Sequence, residues 1–577
     1  MKFPEVSGMP SRIEWTRYST GQLEIQLKEE MAMFKTMQAG CALTLVASAV
    51  LSACGGSTNS TSTPPVSKVT AGNCTSLMNY TGSIPTTITS AIQVTPTAGA
   101  PFQTPVNFLT PTSLSVTQSF CRVIGVINPV ANSSINFEVW LPLDKANWNS
   151  KFVGSADGGS TGTINYTSMV NPLARGYAVM GHDNGHTSTD VFEQSWAFDF
   201  SNDTVKTDQI IDFGYRAEHV VTAVSKDITN AYFAAQPVHS YYVGCSQGGH
   251  HGMMEAQRYP DDYDGIVAGS HGGDWLGMMS SEAWAGVSVL KNNGAGGMTT
   301  AQLTAFNAAV ISACDAKDGI TDGQIDDPRQ CSFDPATLQC GAGGAVPATC
   351  LTPAQVQSAK DIYAGPKRQS TGASVSPGYA LGSEGGWATT WNSTTSLQSG
   401  SYYDFFRLIL KNNPNFDILT LNWDTDIDAG RAQYGSIYDA VNPDLAAFQA
   451  NNGKLIMYHG WADPLISPYL SLASYGRIQD AMGASTVNQF ARLYMVPGMG
   501  HCGGGPIGAV DWLTPLENWV EKGIAPDATS TASTIIGSGT INGATRTRPL
   551  CSYPMVEKYN GTGDINSASN FTCGSPS

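Results

Sequence analysis

One serine in the chain stands where a hydroxyl can be made nucleophilic. Tyr241-Tyr-Val-Gly244-Cys245-Ser246-Gln247-Gly248-Gly249 follows a short apolar run and leads into His250 to Arg258, where Met253, Met254 and Gln257 have helical spacing. Gly-x-Ser-x-Gly between a strand and a helix is the pattern of a nucleophile elbow, whose small flanking residues permit a turn that lifts the hydroxyl above a sheet. In a Gly-rich chain the same letters also arise as a plain turn. A serine needs a base, and the base needs an acid to orient it and stabilise its cation. Leu455-Ile-Met-Tyr458-His459-Gly460-Trp461-Ala462-Asp463 puts Asp463 in the loop after one apolar run, and Leu493-Tyr-Met-Val496-Pro-Gly-Met-Gly500-His501 puts His501 after the next. The order serine, acid, histidine is the one that accompanies such an elbow. His459 is a rival base, but it precedes the acid and stands nearer its strand. It reads as a pocket or supporting residue, or as a buried structural histidine; His250, His251 and His271 are weaker candidates still. The oxyanion needs two backbone N–H groups. Gln247 supplies one, and Phe152-Val-Gly-Ser-Ala-Asp157-Gly158-Gly159 the other, with Gly159 the better donor and Gly158 next; the alternative is a flexible turn.

The cysteines offer an internal check. Cys245 adjoins Ser246 and Cys502 adjoins His501, 257 positions apart. If serine and histidine meet, their neighbours fall within the roughly 4.4–6.8 Å Cα separation that a disulfide requires. The alternative is that Cys245 is a free or nucleophilic thiol.

A second constellation is acidic: Cys314-Asp315-Ala-Lys-Asp318-Gly319-Ile320-Thr-Asp322-Gly323-Gln324-Ile-Asp326-Asp327, ending before Cys331. Carboxylates every three or four residues with glycine turns suit a hard cation, although the spacing is not that of an EF-hand. Calcium in a structural role is the expectation, held by Asp315, Asp318 and Asp322 with the carbonyls of Ile320 and Gln324. A solvated acidic turn is the plain alternative.

The elements that must position these groups are short apolar runs ending in Gly- or Asp-rich turns: Arg122–Ile127, Phe152-Val153, Tyr177–Met180, Tyr241–Val243, Ile266–Ala268, Leu455–Tyr458 and Leu493–Val496. Ile135, Phe137, Val139 and Leu141 alternate with polar residues at the period of a half-buried strand. Gln209 to Phe233 reads as a helix. Strands alternating with helices predict an α/β fold with a mostly parallel sheet covered on both faces. Residues 275–445 break the rhythm, are rich in Gly, Ser, Thr and Asn, and read as an inserted lid between the catalytic segments 74–274 and 446–577. No internal repeat is present.

Composition narrows the class. The 577 residues are 41% hydrophobic and 13% charged, enough apolar surface for a large core. Lys+Arg 30 against Asp+Glu 46 gives a net charge of −16 without a basic run, which excludes nucleic-acid binding through phosphate neutralisation. Twelve cysteines suit an oxidising compartment. Residues 1–53 read as an upstream mis-start followed by a signal peptide from Met31. The apolar stretch Cys41–Leu51 is too short to span a bilayer comfortably. Leu51-Ser52-Ala53-Cys54 resembles a bacterial lipobox, whose cysteine is acylated, with an ordinary signal peptide as the alternative; residues 54–73 are a polar tether. The expected location is thus outside the cytosol, as an outer-membrane lipoprotein or a periplasmic or secreted protein of a Gram-negative-type bacterium. The expected assembly is a monomer that meets a membrane only through its lipid.

From about Cys74 to Cys573 these motifs resemble the tannase and feruloyl esterase family of α/β hydrolases. The shared features are the Gly-Cys-Ser-x-Gly elbow, the His-Gly-x-x-Asp acid loop, the Pro-Gly-Met-x-His-Cys base loop, the acidic loop and the closing Arg546-Thr-Arg-Pro-Leu-Cys551. The resemblance implies bound calcium, a substrate-covering lid and five disulfides: Cys74–Cys121, Cys245–Cys502, Cys314–Cys331, Cys340–Cys350 and Cys551–Cys573. It implies a serine esterase acting on a small ester of an aromatic acid, of feruloyl, galloyl or terephthalate-monoester type. Family members that take the terephthalate monoester meet its free carboxylate with a lid arginine. Residues 391–403 here contain neither Arg nor Lys, and Arg407 is the nearest cation, which favours the feruloyl or galloyl kind. Gly158, Trp387, Trp391, His459 and Ile466 are the expected substrate contacts, with Tyr402 and Tyr403 as further apolar walls. The competing functions are a peptidase or thioesterase on the same fold, or a non-catalytic calcium-dependent surface-binding protein.

Overall fold

Short runs of β-branched and aromatic residues, each stopped by Gly or Asp, build one nine-stranded sheet in the computed structural model, which describes residues 73–155, 157–188, 190–343, 345–390, 401–530 and 533–576. Cys41, Cys54, Trp391 and all of the polar tether (residues 54–73) but its last residue lie outside the described residues. The strands are β1 (Thr86–Val94), β2 (Phe120–Ile127), β3 (Ile135–Pro142), β4 (Lys151–Ser155), β5 (Ala178–His182), β6 (His239–Cys245), β7 (Gly265–Gly269), β8 (Lys454–Gly460) and β9 (Ala491–Val496). They lie in the order β1-β2-β3-β5-β4-β6-β7-β8-β9. The pairs from β5 to β9 are parallel and the three at the other edge antiparallel.

Alternation sorts side chains to the two faces. Tyr242, Ile266, Leu455 and Met457 pack on one side with helix α1 (Ala217–Phe233) and with Met253 and Met254 of helix α2 (Gln247–Arg258). Tyr241, Val267, Ile456 and Tyr458 pack on the other with Leu516 and Trp519. Strands covered on both faces are the reason these runs read as nearly continuous apolar stretches.

Two local expectations change. On β3 the alternation to water stops after Asn136: Glu138 is buried, accepting from Arg122 Nε (2.8 Å), Trp140 Nε1 (2.7 Å) and Tyr166 Oη (2.9 Å). A buried carboxylate is tolerated because a guanidinium and two further donors replace its water. The helix expected from Gln209 begins at Thr207 and carries a π turn at Asp212–Arg216 before α1. There the Ala217 N–H bonds Asp212 O rather than Phe213 O, which frees the Phe213 carbonyl.

The interruption between β7 and β8 is mainly helical, opening with Trp275–Gly294 and Thr300–Cys314. Its apolar core also takes in Phe213, Ile466 and Leu470, so the inserted segment packs down onto the elements that flank the sheet. Disulfides join Cys74–Cys121, Cys245–Cys502, Cys314–Cys331, Cys340–Cys350 and Cys551–Cys573.

Candidate active site

The residues singled out by spacing follow the carboxyl ends of four strands, where ligands of open α/β sheets bind. Ser246 directly follows β6 and holds φ +62° and ψ −121°. A serine keeps so unfavourable a conformation only where its surroundings force it, at a strain of about 1–3 kcal/mol. Its N–H bonds Gly269 O (2.9 Å), and a Cβ at Gly249 would stand 2.1 Å from that same oxygen. Glycine at 249 is therefore what lets α2 pack against the end of β7.

Asp463 and His501 are brought together by backbone. Trp461 N donates to Val496 O (2.9 Å) and Ala462 N to Met499 O (3.0 Å), and at Gly460 a Cβ would meet Met499 O at 2.2 Å. With the loops joined, His501 Nδ1 lies 2.8 Å from Asp463 Oδ2, while Asp463 Oδ1 accepts the N–H groups of Leu465 (2.9 Å) and Ile466 (3.0 Å). Burial alone would raise the Asp463 pKa. The charge of His501 and hydrogen bonds from His459 and His501 outweigh it and hold the carboxyl well below the usual range. The acid therefore stays ionised beside its imidazole.

Ser246, His501, Gly158, Gly159, Gln247 and Ile466 line one cavity of about 430 Å³. The Cys245–Cys502 disulfide joins the neighbours of serine and histidine, its Cα atoms 5.8 Å apart. The Ser246 hydroxyl itself makes no hydrogen bond to another described residue; such contacts are commonly long in unliganded enzymes and tighten around substrate. Gly159 holds φ +61°, and a Cβ there would stand 2.7 Å from Val191 O, so this loop position needs glycine. Gln247 opens α2, and its main-chain N–H belongs to the first turn, where helices leave donors unpaired. Its side chain is anchored by the carbonyl that the π turn freed: Phe213 O accepts from Gln247 Nε2 (3.2 Å) and His251 Nε2 (2.8 Å). No spacing rule pointed to Phe213, because a π turn of one residue leaves the apolar period almost intact.

Several expected contacts move. His459 does not reach the cavity; it is fully buried, with Nδ1 on Ser471 Oγ (2.7 Å) and Nε2 on Ile466 O (3.0 Å) and 3.2 Å from Asp463 Oδ2, so it braces the acid loop from behind. Trp387 is buried in the lid core, its indole N–H on Ser383 Oγ (3.1 Å) and its ring edge-on to Phe306. Tyr402 is buried in that core as well, and Tyr403 lies under the Arg407 guanidinium, which is paired with Asp404. The apolar core of the inserted segment takes up Trp387 and Tyr402, while its first helix turns Trp275 and Met278 toward the cavity. The walls come instead from Leu109, Val191, Phe192, Trp275, Met278 and Leu465. Burial lowers the pKa values of His250 and His271 to about 3 and that of His251 to about 4, so all three are neutral and none competes as base.

Asp157 and Glu282 also line the cavity, and its described lining contains no Arg or Lys. Burial, opposed by His182 and reinforced by Glu218, pushes the Asp157 carboxyl up to about 7. A carboxyl that holds its proton more tightly in the folded chain adds stability below its unfolded pKa of 3.8, and this is lost as pH rises to about 7. Asp157→Asn is therefore expected to raise Tm at pH 8 more than at pH 5; an equal shift at both, by scanning calorimetry, would contradict the assignment.

In the acidic loop Asp315 accepts the N–H groups of Asp322 and Gly323 (both 2.9 Å), and Asp318 accepts that of Ile320 (2.9 Å). Asp322 Oδ2 faces Arg548 Nη2 (2.5 Å) and Arg546 Nη1 (3.2 Å). The Gln324 side chain bonds Asp326 (3.0 Å) and Glu557 (2.8 Å), leaving its carbonyl as the candidate ligand. Burial first, and neighbouring carboxylates next, push Asp318 up to about 6 and Asp326 to about 7. Carboxylates outnumber the two guanidiniums, and an all-oxygen set with surplus negative charge fits a hard divalent cation.

Comparison with known proteins places this geometry in context. The chain is 34% identical over 533 residues to an uncharacterized esterase of Xanthomonas campestris pv. campestris, covering 85% of this chain and 89% of the relative. It is 34% identical over 505 residues to a mono(2-hydroxyethyl) terephthalate hydrolase of Piscinibacter sakaiensis, covering 77% and 82%. The crystal structure of feruloyl esterase B from Aspergillus oryzae superposes with a TM-score of 0.77 at 28% identity, over 87% of this chain and 99% of that one. Residues 121–574, elbow, acid loop, base loop and lid together, match the model described as tannase and feruloyl esterase, and the chain belongs to that family.

Proposed function

We propose that this carboxylic ester hydrolase cleaves esters of aromatic carboxylic acids through an acyl-enzyme on Ser246. The observation that carries the reading is the convergence of Ser246, His501 and the Gly158-Gly159 loop on one apolar-walled cavity, with Asp463 bonded to the histidine. His501 takes the Ser246 proton as the hydroxyl attacks the ester carbonyl. The N–H groups of Gly159 and Gln247 receive the oxyanion, and Asp463 stabilises the imidazolium. The tetrahedral intermediate expels the alcohol, which takes the proton from His501. Water, activated by the same histidine, then releases the acid.

The similar enzymes act on feruloyl esters and a terephthalate monoester. This cavity, carrying Asp157 and Glu282 and no cation among its described lining, favours an uncharged phenolic acyl group over one with a free carboxylate. An unpaired buried charge costs several kcal/mol. We expect kcat/KM for methyl ferulate or methyl gallate to exceed that for the terephthalate monoester by about 100-fold or more; the reverse order in a substrate panel would reject this preference.

We propose calcium at Asp315, Asp318, Asp322 and the carbonyls of Ile320 and Gln324, where it would neutralise the surplus carboxylate charge and fix the loop that follows the helix Thr300–Cys314 against Arg546 and Arg548. Chelation with EGTA is expected to lower Tm by several degrees and calcium, not magnesium, to restore it, since saturation at 100 times Kd stabilises by about 2.7 kcal/mol. Unchanged Tm on chelation would remove the site.

The five disulfides among the described residues support a location outside the reducing cytosol. We propose export as a lipoprotein acylated at Cys54: Cys54→Ala is expected to move the enzyme from membranes to the soluble fraction, and persistent membrane association would reject the anchor.

A further inference from the structure

At the end of the nucleophile helix opposite Ser246, a second group of metal-binding character is assembled. Among the described residues, His219, Glu255 and Asp262 gather one ligand atom each to within 4.8 Å of one another. They come from three elements: His219 from the first turn of α1, Glu255 from the last turn of α2, and Asp262 from the turn that leads into β7. His219 Nδ1 lies 2.6 Å from Asp262 Oδ2, and its ring is stacked on Tyr259 at 3.7 Å, which fixes the direction of the nitrogen.

Glu255 supplies the independent observation. It is 0% exposed, and no N–H or O–H donor reaches either carboxylate oxygen; its near neighbour is the Asp262 carboxyl. A buried carboxylate without a donor costs several kcal/mol unless a cation or a proton completes it. Lys226 acts on Glu255 only through its charge: its ammonium donates to the Asp262 carbonyl and makes no hydrogen bond to the Glu255 carboxylate. The side chains of His219 and Asp262 are 32% and 16% exposed, so an ion has a path from solvent.

We propose that His219, Glu255 and Asp262 form a divalent transition-metal site, with zinc as the natural occupant and a solvent molecule as fourth ligand. One imidazole with two carboxylates is a borderline nitrogen–oxygen set that suits zinc, cobalt or nickel, whereas calcium prefers oxygen alone. Tetrahedral bonds of about 2.0–2.1 Å set ligand atoms roughly 3.3 Å apart, so His219 and Asp262 need to separate by less than about 1 Å and Glu255 to close in by up to about 1.5 Å. The ion would pin the far end of the helix that carries Ser246 to α1 and to the entry of β7. This site involves no residue of the cavity and stands whether or not the substrate reading does.

The test is titration of the full chain with zinc chloride, calcium being present in excess to saturate the lid loop. Calorimetry and metal analysis are expected to show one zinc per chain and a raised Tm. His219→Ala, at a partly exposed position that tolerates truncation, should weaken binding by more than the roughly 100-fold typical of losing an outer-shell partner. His239→Ala, at the neighbouring His239–Asp264 pair, should retain it. Absence of saturable zinc, or equal binding by His219→Ala, overturns the proposal. So does a Glu255→Gln chain that is more stable than wild type while zinc leaves the wild-type Tm unchanged, the signature of a proton shared between Glu255 and Asp262.

Discussion

Ser246→Ala is expected to lower kcat/KM for methyl ferulate by about 10⁵–10⁶-fold, equivalent to roughly 7–8 kcal/mol of transition-state stabilisation. The loss falls on kcat, because the apolar walls and the N–H groups of Gly159 and Gln247 are untouched and continue to bind the ester. A residual rate above that in water is expected from those donors alone. Ser246→Gly should be as inactive yet more stable than wild type, since glycine adopts φ +62° without the strain that serine bears there. The pair of variants separates chemistry from folding. Steady-state kinetics showing either variant within about tenfold of wild type would exclude Ser246 as nucleophile.

Cys245→Ser/Cys502→Ser is expected to have the next largest effect. The loop closed by this bond spans 257 residues, and chain entropy alone assigns it roughly 5 kcal/mol, an upper bound from which native strain subtracts. Its local consequence follows from how the three groups are held. Acid and base are fastened to each other by two backbone hydrogen bonds and by His501 Nδ1 on Asp463. Nucleophile and base share no hydrogen bond, and the covalent link between their neighbours registers one loop against the other. Misplacement by about 1 Å costs on the order of 100-fold in rate, so the double variant should lose about that factor in kcat as well as many degrees of Tm. A double variant with wild-type Tm and kcat would show that packing alone sets the geometry. The His501–Asp463 contact should survive in it.

The chemistry was legible because each functional group lies one to five residues past a strand, and strands buried on both faces announce themselves as short apolar runs. Ser246, Asp463 and His501 could be placed from that rule, and Cys245 with Cys502 tied two of them together before any coordinates. Contacts decided by packing were not legible. Trp387 and Tyr402 have the composition of a substrate wall, yet packing buries them in the core of the inserted segment, and its first helix, with Trp275 and Met278, shares the wall with Val191 and Phe192. His459 has the look of a base, and only its buried partners Ser471, Ile466 and Asp463 show it to be a brace for the acid loop.

The sequence by itself determined the strand order of reactive groups, the elbow and the cysteine pair beside it, because these depend on neighbours along the chain. The tertiary structure alone decided the anchoring of Gln247 by Phe213 O, the unpaired carboxylate of Glu255 and the acidic lining of the cavity. Each of these is set by groups that meet across tens of residues, where desolvation and hydrogen-bond satisfaction depend on the surroundings and not on the local pattern of side chains.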